Sequence, residues 1–209
     1  MSDNASLALI DIGSGNLHSV ENALRAVGCD DLLVTADPDV VARANRIVLP
    51  GVGAFGACAA ALRGIDGLEE ALGEAALRRG TPFLGICVGM QLMADTGEEM
   101  GVHRGLGWIP GHVRKLVPDH MDTKVPHMGW NDVIPTLPHG LPHSLIERGE
   151  AYFLHSFAYE GALAVATTDH GGVVTAAIGR DNLLGVQFHP EKSQRYGLDL
   201  LRRFLSWRP

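Results

Sequence analysis

Cysteine is scarce, with Cys29, Cys58 and Cys87 the only three in 209 residues and no CxxC pair among them. An odd, scattered set builds neither a disulfide framework nor a zinc site, and it fits a reducing compartment. Cations are the minority, 17 Lys and Arg against 24 Asp and Glu for a formal charge of −7. A nucleic-acid or acidic-membrane surface needs clustered cations, so neither partner is expected. Long apolar runs are lacking too. The first, Leu7–Ile12, is short, carries Asp11 and follows no basic segment, so neither a signal peptide nor a membrane span is expected. The ten histidines contain no HExxH, and Pro138, Gly140 and Pro142 break the helical spacing of His139 and His143, so no metal is expected. Repeats and low-complexity tracts are missing. What is present is a 46% hydrophobic chain long enough for one sizeable core, which predicts a cytoplasmic globular protein with a single domain over 1–209.

In the first half, strand-like and helical patterns alternate. Leu7–Ile12, Leu32–Val34, Ile47–Leu49 and the run from Phe83 read as buried strands. Between them lie Leu17, Val20, Leu24 and Val27 at helical spacing, a short helix after Pro38, and helical patterns over Phe55–Arg63 and Leu68–Arg79. This order predicts βαβ units and a parallel sheet covered on both faces. Beyond Met100 the pattern changes. Gly111–Leu116 alternates, a loop runs to Pro126, and Gly, Pro and Asn mark His127–Asn131 as loop as well. A Pro-rich turn spans 135–142. Ala151–Leu154, Ala162–Thr167, Val173–Ile178 and Leu183–Phe188 read as strands, the last two joined as a hairpin by Gly179–Asn182. Leu198, Leu201, Phe204 and Leu205 give a closing helix. The predicted fold class is α/β, with a mostly parallel central sheet flanked by helices and an antiparallel extension.

Three stretches carry chemistry. In Gly85-Ile86-Cys87-Val88-Gly89 a cysteine has glycine at minus two and plus two, the nucleophile-elbow spacing with Cys in place of Ser. Such a turn lifts Cys87 to a helix N-terminus that favours thiolate; taken alone, it is equally a buried cysteine on a tight turn. In Phe188-His189-Pro190-Glu191 a strand ends at a histidine, and Pro190 turns the chain so that Glu191 can face the imidazole. These supply a base and its orienter. Gly51, Gly53 and Gly56 match GxGxxG literally, but the stretch follows the third strand, and Glu69 and Glu70 fall on a helix face where a ribose-binding acid belongs at a strand tip. The alternative is that N–H groups of Val52 and Gly53, with that of Val88, form an oxyanion hole beside Cys87.

Gly85–Gln91, the Pro50–Gly53 loop and His189-Pro190-Glu191 together resemble the class I (triad) glutamine amidotransferases. Asp11–Leu17, Pro126–Asn131 and Tyr152–Phe157 add likeness to one branch, in which a glutaminase serves imidazole-ring formation in histidine biosynthesis. The resemblance implies that Cys87 attacks the side-chain amide of glutamine, His189 protonates the ammonia, and Glu191 orients His189. Gln91, Gly53, His155, Ser156 and Phe157 would hold the substrate, with Glu98 or Glu99 at its α-ammonium. Val88, where the family often carries Leu, leaves the backbone donor intact. No cofactor is implied. The implied partner is a (β/α)8 cyclase subunit that receives the ammonia, docking on Met128, Trp130 and Asn131 and switching the glutaminase on, with the loop around Val52 as one physical route.

Two other classes compete with that reading. One is a nucleotide-cofactor oxidoreductase built on Gly51–Gly56; the other is a non-catalytic subunit that keeps the elbow as a fold relic. An amidotransferase of anthranilate or pyridoxal phosphate synthesis is the same-class alternative. Cys29 and Cys58 read as packing residues, and Arg202, Arg203 and Arg208 as a solvated face.

Overall fold

The computed structural model describes residues 7–120, 122–136 and 143–209; most of the expected Pro-rich turn, including His139, lies outside them. The elements in chain order are β1 (Leu7–Ile10), α1 (Leu17–Ala26), β2 (Leu32–Thr35), α2 (Pro38–Arg43), β3 (Arg46–Gly51), α3 (Phe55–Arg63) and α4 (Leu68–Gly73), which continues as a π-helical stretch, Glu74–Arg78. There follow β4 (Phe83–Cys87), α5 (Val88–Gln91), β5 (Thr96–Gly97), β6 (His103–Arg104), β7 (His112–Lys115), β8 (His127–Pro135), β9 (Gly149–His155), β10 (Phe157–Glu160), β11 (Ala164–Asp169), β12 (Val173–Arg180), β13 (Leu183–Val186) and α6 (Gln194–Ser206).

Among the described residues the main sheet has the order β2-β1-β3-β4-β13-β12-β11-β8-β9. Its first five strands pair in parallel, and the remainder are antiparallel. β1, β3, β4 and β13 are buried along their whole length, which is why they read as continuous apolar runs instead of alternating ones. The hairpin predicted at Gly179–Asn182 is the β12–β13 pair, and the expected α/β fold is present as one large mixed sheet, its parallel half continued by an antiparallel extension of equal size. None of the described helices is long and apolar enough to cross a membrane.

Two features differ from expectation. His127–Asn131 is not a loop. It opens β8, which pairs with β9 from His127↔His155 to Val133↔Gly149. Gly129 and Asn131 hid the period-two pattern, because Asn131 is a polar residue on the same strand face as the buried His127 and Val133, bonded to His127 and to the Asp169 carbonyl. A second sheet has the order β10-β7-β5-β6. Two of its strands are two residues long, too short to leave a pattern in sequence.

The register decides where a site can form. Gly51 lies opposite Cys87 and Ile86 opposite Val186, so the loops after β3, β4 and β13 leave the sheet side by side at its carboxyl edge. Open α/β sheets bind ligands there.

Candidate active site

Cys87 ends β4 with φ 54 and ψ −112, a conformation that L side chains rarely adopt. Strain of this kind costs about 1–3 kcal/mol and persists only where the surroundings impose it. The flanking glycines allow the imposition. A Cβ on Gly85 would stand 2.7 Å from the Gly89 carbonyl oxygen, and one on Gly89 would overlap that of Leu49. The helix that follows is a single buried turn, so Cys87 is held by packing more than by a long helix dipole.

Opposite it, β13 delivers His189. The His189 N–H donates to the Tyr152 carbonyl at 2.9 Å, and Ser193 Oγ donates to the His189 carbonyl at 2.6 Å, which fixes the backbone on both sides. Pro190 starts a 3-10 turn, Pro190–Lys192, that folds Glu191 back. Glu191 Oε1 then accepts from His189 Nδ1 at 2.9 Å with both side chains buried. Burial alone would lower the imidazole's pKa. The sulfur of Cys87 and the carboxylate of Glu191 outweigh burial and push it up to about 9. The arrangement therefore favours an imidazolium beside the sulfur.

A cavity of about 300 Å³ opens over the sulfur. Val52, Gly53, Val88, Gln91, His155, Ser156, Phe157 and His189 all line it with Cys87, so every expected oxyanion-hole and substrate-binding position faces one space. Glu191 lies behind His189. Of the two acidic candidates, Glu99 lines the cavity and accepts the Phe55 N–H at 2.8 Å, whereas Glu98 pairs with Arg114 on the surface. The literal GxGxxG also finds a packing explanation. A Cβ on Gly51 would be 2.9 Å from the Gly89 nitrogen, and one on Gly56 would strike the His103 ring. Gly51 is thus small because it packs on the elbow and Gly56 because His103 covers it, while Gly53 holds φ 102, a left-handed backbone that favours glycine. The described residues contain no group of three or more His, Cys, Asp or Glu placed to hold a metal.

The expected docking residues divide. Met128 and Trp130 are exposed at 65% and 48% on one face of β8. Next to them, Leu154 is both exposed and part of the cavity wall, so the apolar patch adjoins the site. Asn131 faces the other way; its Nδ2 donates to His127 Nε2 at 3.1 Å and to the Asp169 carbonyl at 2.7 Å.

Sequence reasoning missed three members of the site. Lys192 lines the cavity with its ammonium 5.9 Å from the Tyr152 ring centre. His127 is buried against His155, and Gln187 is buried beside Cys87. Only Gln187 left a signal, as the one polar residue in Leu183–Phe188.

Residues 8–206 match the family model described as glutamine amidotransferase class-I. The chain is 58% identical to the imidazole glycerol phosphate synthase subunit HisH of Zymomonas mobilis, covering 99% of this chain and 98% of that protein. It is 52% identical to the HisH subunit of Caulobacter vibrioides, covering 97% and 99%. A crystal structure of a glutamine amidotransferase shares the fold at TM-score 0.72 and 15% identity, over 95% of this chain and 97% of that one.

Proposed function

We propose, on the premise that this chain belongs to the class I glutamine amidotransferase family, that Cys87, His189 and Glu191 are its catalytic triad. It acts as the glutaminase subunit of an imidazole glycerol phosphate synthase in histidine biosynthesis, releasing ammonia to a (β/α)8 cyclase partner. One observation carries the assignment: a strained, glycine-flanked cysteine shares a cavity with a histidine whose other nitrogen is 2.9 Å from a buried carboxylate.

The chemistry follows from the placement. The Cys87 thiolate adds to the side-chain amide carbon of glutamine. In this reading the N–H groups of Val88 and of the Val52–Gly53 loop take the oxyanion. His189 gives its proton to the departing ammonia, leaving a γ-glutamyl thioester. The neutral imidazole then takes a proton from water, hydroxide attacks the thioester, and glutamate leaves as the thiolate reforms. Glu191 holds the tautomer throughout. Gln91, Gly53 and the His155–Phe157 backbone hold the remainder of the substrate, and Glu99 takes the role of counter-charge to the α-ammonium.

Met128 and Trp130, continuous with Leu154 at the cavity mouth, form the docking face for the cyclase, so that ammonia is released next to the interface. Three free cysteines fit a reducing compartment, and we read the location as cytoplasmic. Glutamate release by the complex, measured with and without Cys87→Ala, tests the assignment. A loss of several orders of magnitude is expected; glutaminase activity that survives the substitution overturns it.

A further inference from the structure

Behind Cys87 and Gln91 lies a buried amide side chain with no part in the triad. Gln187 is fully buried one residue past β13, its backbone held by an N–H bond to the Ala176 carbonyl at 2.8 Å. Its Oε1 accepts from Gln91 Nε2 at 3.0 Å, and its Nε2 is 3.7 Å from Cys87 Sγ.

The polarity of this chain is fixed by a backbone group. The Phe157 carbonyl can only accept, and it takes Gln91 Nε2 at 3.0 Å. That places the amide nitrogen of Gln91 towards Gln187, so Gln187 must turn its oxygen to Gln91 and its N–H to the sulfur. The same carbonyl accepts from His155 Nδ1 at 2.9 Å, leaving His155 Nε2 to accept from His127 Nδ1 at 3.0 Å. The two branches are therefore consistent with one another: flipping Gln187 would set N–H against N–H, and flipping Gln91 would set its oxygen against the Phe157 carbonyl.

We propose that Gln187 is a catalytic residue of this site: its carboxamide donates a hydrogen bond to the Cys87 thiolate. It stabilises the nucleophile independently of the charge on His189. Because both N–H groups of Gln91 are spent on Phe157 and Gln187, only Gln91 Oε1 is left to face the cavity. Gln91 thus reads a hydrogen-bond donor on the substrate, which suits an ammonium or amide N–H and not a carboxylate. The substrate part of this inference rests on the glutaminase assignment; the thiolate part rests on geometry alone.

The test is the pH profile of Cys87 alkylation by iodoacetamide on the full chain, with the Cys87→Ser protein subtracting any reaction at Cys29 and Cys58. The other titratable groups facing the sulfur's cavity are His189, His155, Glu99 and Lys192, with Glu191 behind His189, and all are unchanged in the variants. Gln187→Met, similar in size but without a donor, is expected to move the thiolate midpoint up by about one pH unit and to slow alkylation about tenfold at pH values below the wild-type midpoint, with the plateau at high pH unchanged. Gln187→Glu keeps the size and an acceptor for Gln91 but sets a carboxylate against the sulfur, and it is expected to move the midpoint further in the same direction. It reads out even where the apolar variant does not fold. A midpoint that stays at the wild-type value in the folded variants overturns the proposal. The readout needs no glutamine. A wild-type complex that hydrolyses no glutamine, with the midpoint shifted in the variants, removes the glutaminase assignment and keeps this one; an active glutaminase with an unmoved midpoint does the reverse.

Discussion

Replacing Glu191 with glutamine removes one charge from the site and almost no volume. In the native protein His189 is raised from 6.5 to about 9 against the opposing effect of its own burial. That rise corresponds to about 3 kcal/mol in favour of the imidazolium, supplied by the Cys87 sulfur and the Glu191 carboxylate together. The carboxylate is 2.9 Å from Nδ1 with both side chains nearly inaccessible, so solvent does little to screen the pair. In Glu191→Gln the imidazolium loses its buried counter-charge, and the amide can present either an oxygen or an N–H to Nδ1. Both changes weaken the thiolate–imidazolium pair and the tautomer that accepts a proton from water. We expect glutamate release by the complex to fall by roughly 10²–10⁴-fold, mostly in kcat. A stability signature accompanies it. A raised histidine pKa contributes stability that is complete below pH 6.5 and lost as pH rises through about 9. Wild-type Tm should therefore decline across that window, and the variant's decline should be shallower. A kcat within fivefold of wild type, at a Tm that shows the variant folded, refutes the assignment of Glu191 as orienter.

Gly89→Ala places a methyl group against the Leu49 carbonyl and is expected to cost about 3 kcal/mol by denaturant unfolding while abolishing glutaminase activity; wild-type stability would remove the packing account of the elbow. Acid should loosen the inward face of β8. Burial lowers His127 to about 3 and His155 to about 4, each reinforced by neighbouring histidines, so both stay neutral in the fold. Stability from such depressed values is present above pH 6.5 and lost as pH falls towards 4, and a Tm that is level from pH 7 to pH 4.5 contradicts it. Trp130→Ala should weaken binding of the cyclase subunit by about 2 kcal/mol, roughly 30-fold in Kd by calorimetry, while leaving the Tm of the free chain in place. An unchanged Kd would move the interface elsewhere.

The parts of the site that could be read from sequence are those whose requirements are met by near neighbours in the chain. Gly85 and Gly89 are needed by a turn five residues long, and Pro190 sets Glu191 against His189 two residues away. These constraints leave a written pattern because the residues that impose them are adjacent. The hairpin at Gly179–Asn182 and the buried runs of β1, β3 and β4 belong to the same class.

Where the partner is distant, the sequence carries only a residue type. Arg46 begins β3 and is nearly fully buried, a position that its charge argues against; its guanidinium donates to the carbonyls of Phe204 and Trp207, 158 and 161 residues away, and so finishes the C-terminal end of α6. Arg203, expected on a solvated face, is partly covered and donates to the Leu145 carbonyl. Glu98 and Glu99 are indistinguishable in sequence, because what separates them is whether the side chain meets Phe55 or Arg114. His127–Asn131 looked like a loop for a related reason: the inward Asn131 is tolerated only because His127 and the Asp169 carbonyl take up its N–H groups. The strand that bears the exposed Trp130 on one face is thus tied on the other, through His127, His155 and the Phe157 carbonyl, to Gln91 and the nucleophile. A partner that docked on Trp130 and shifted β8 would act on the same hydrogen bonds that orient the amide beside Cys87.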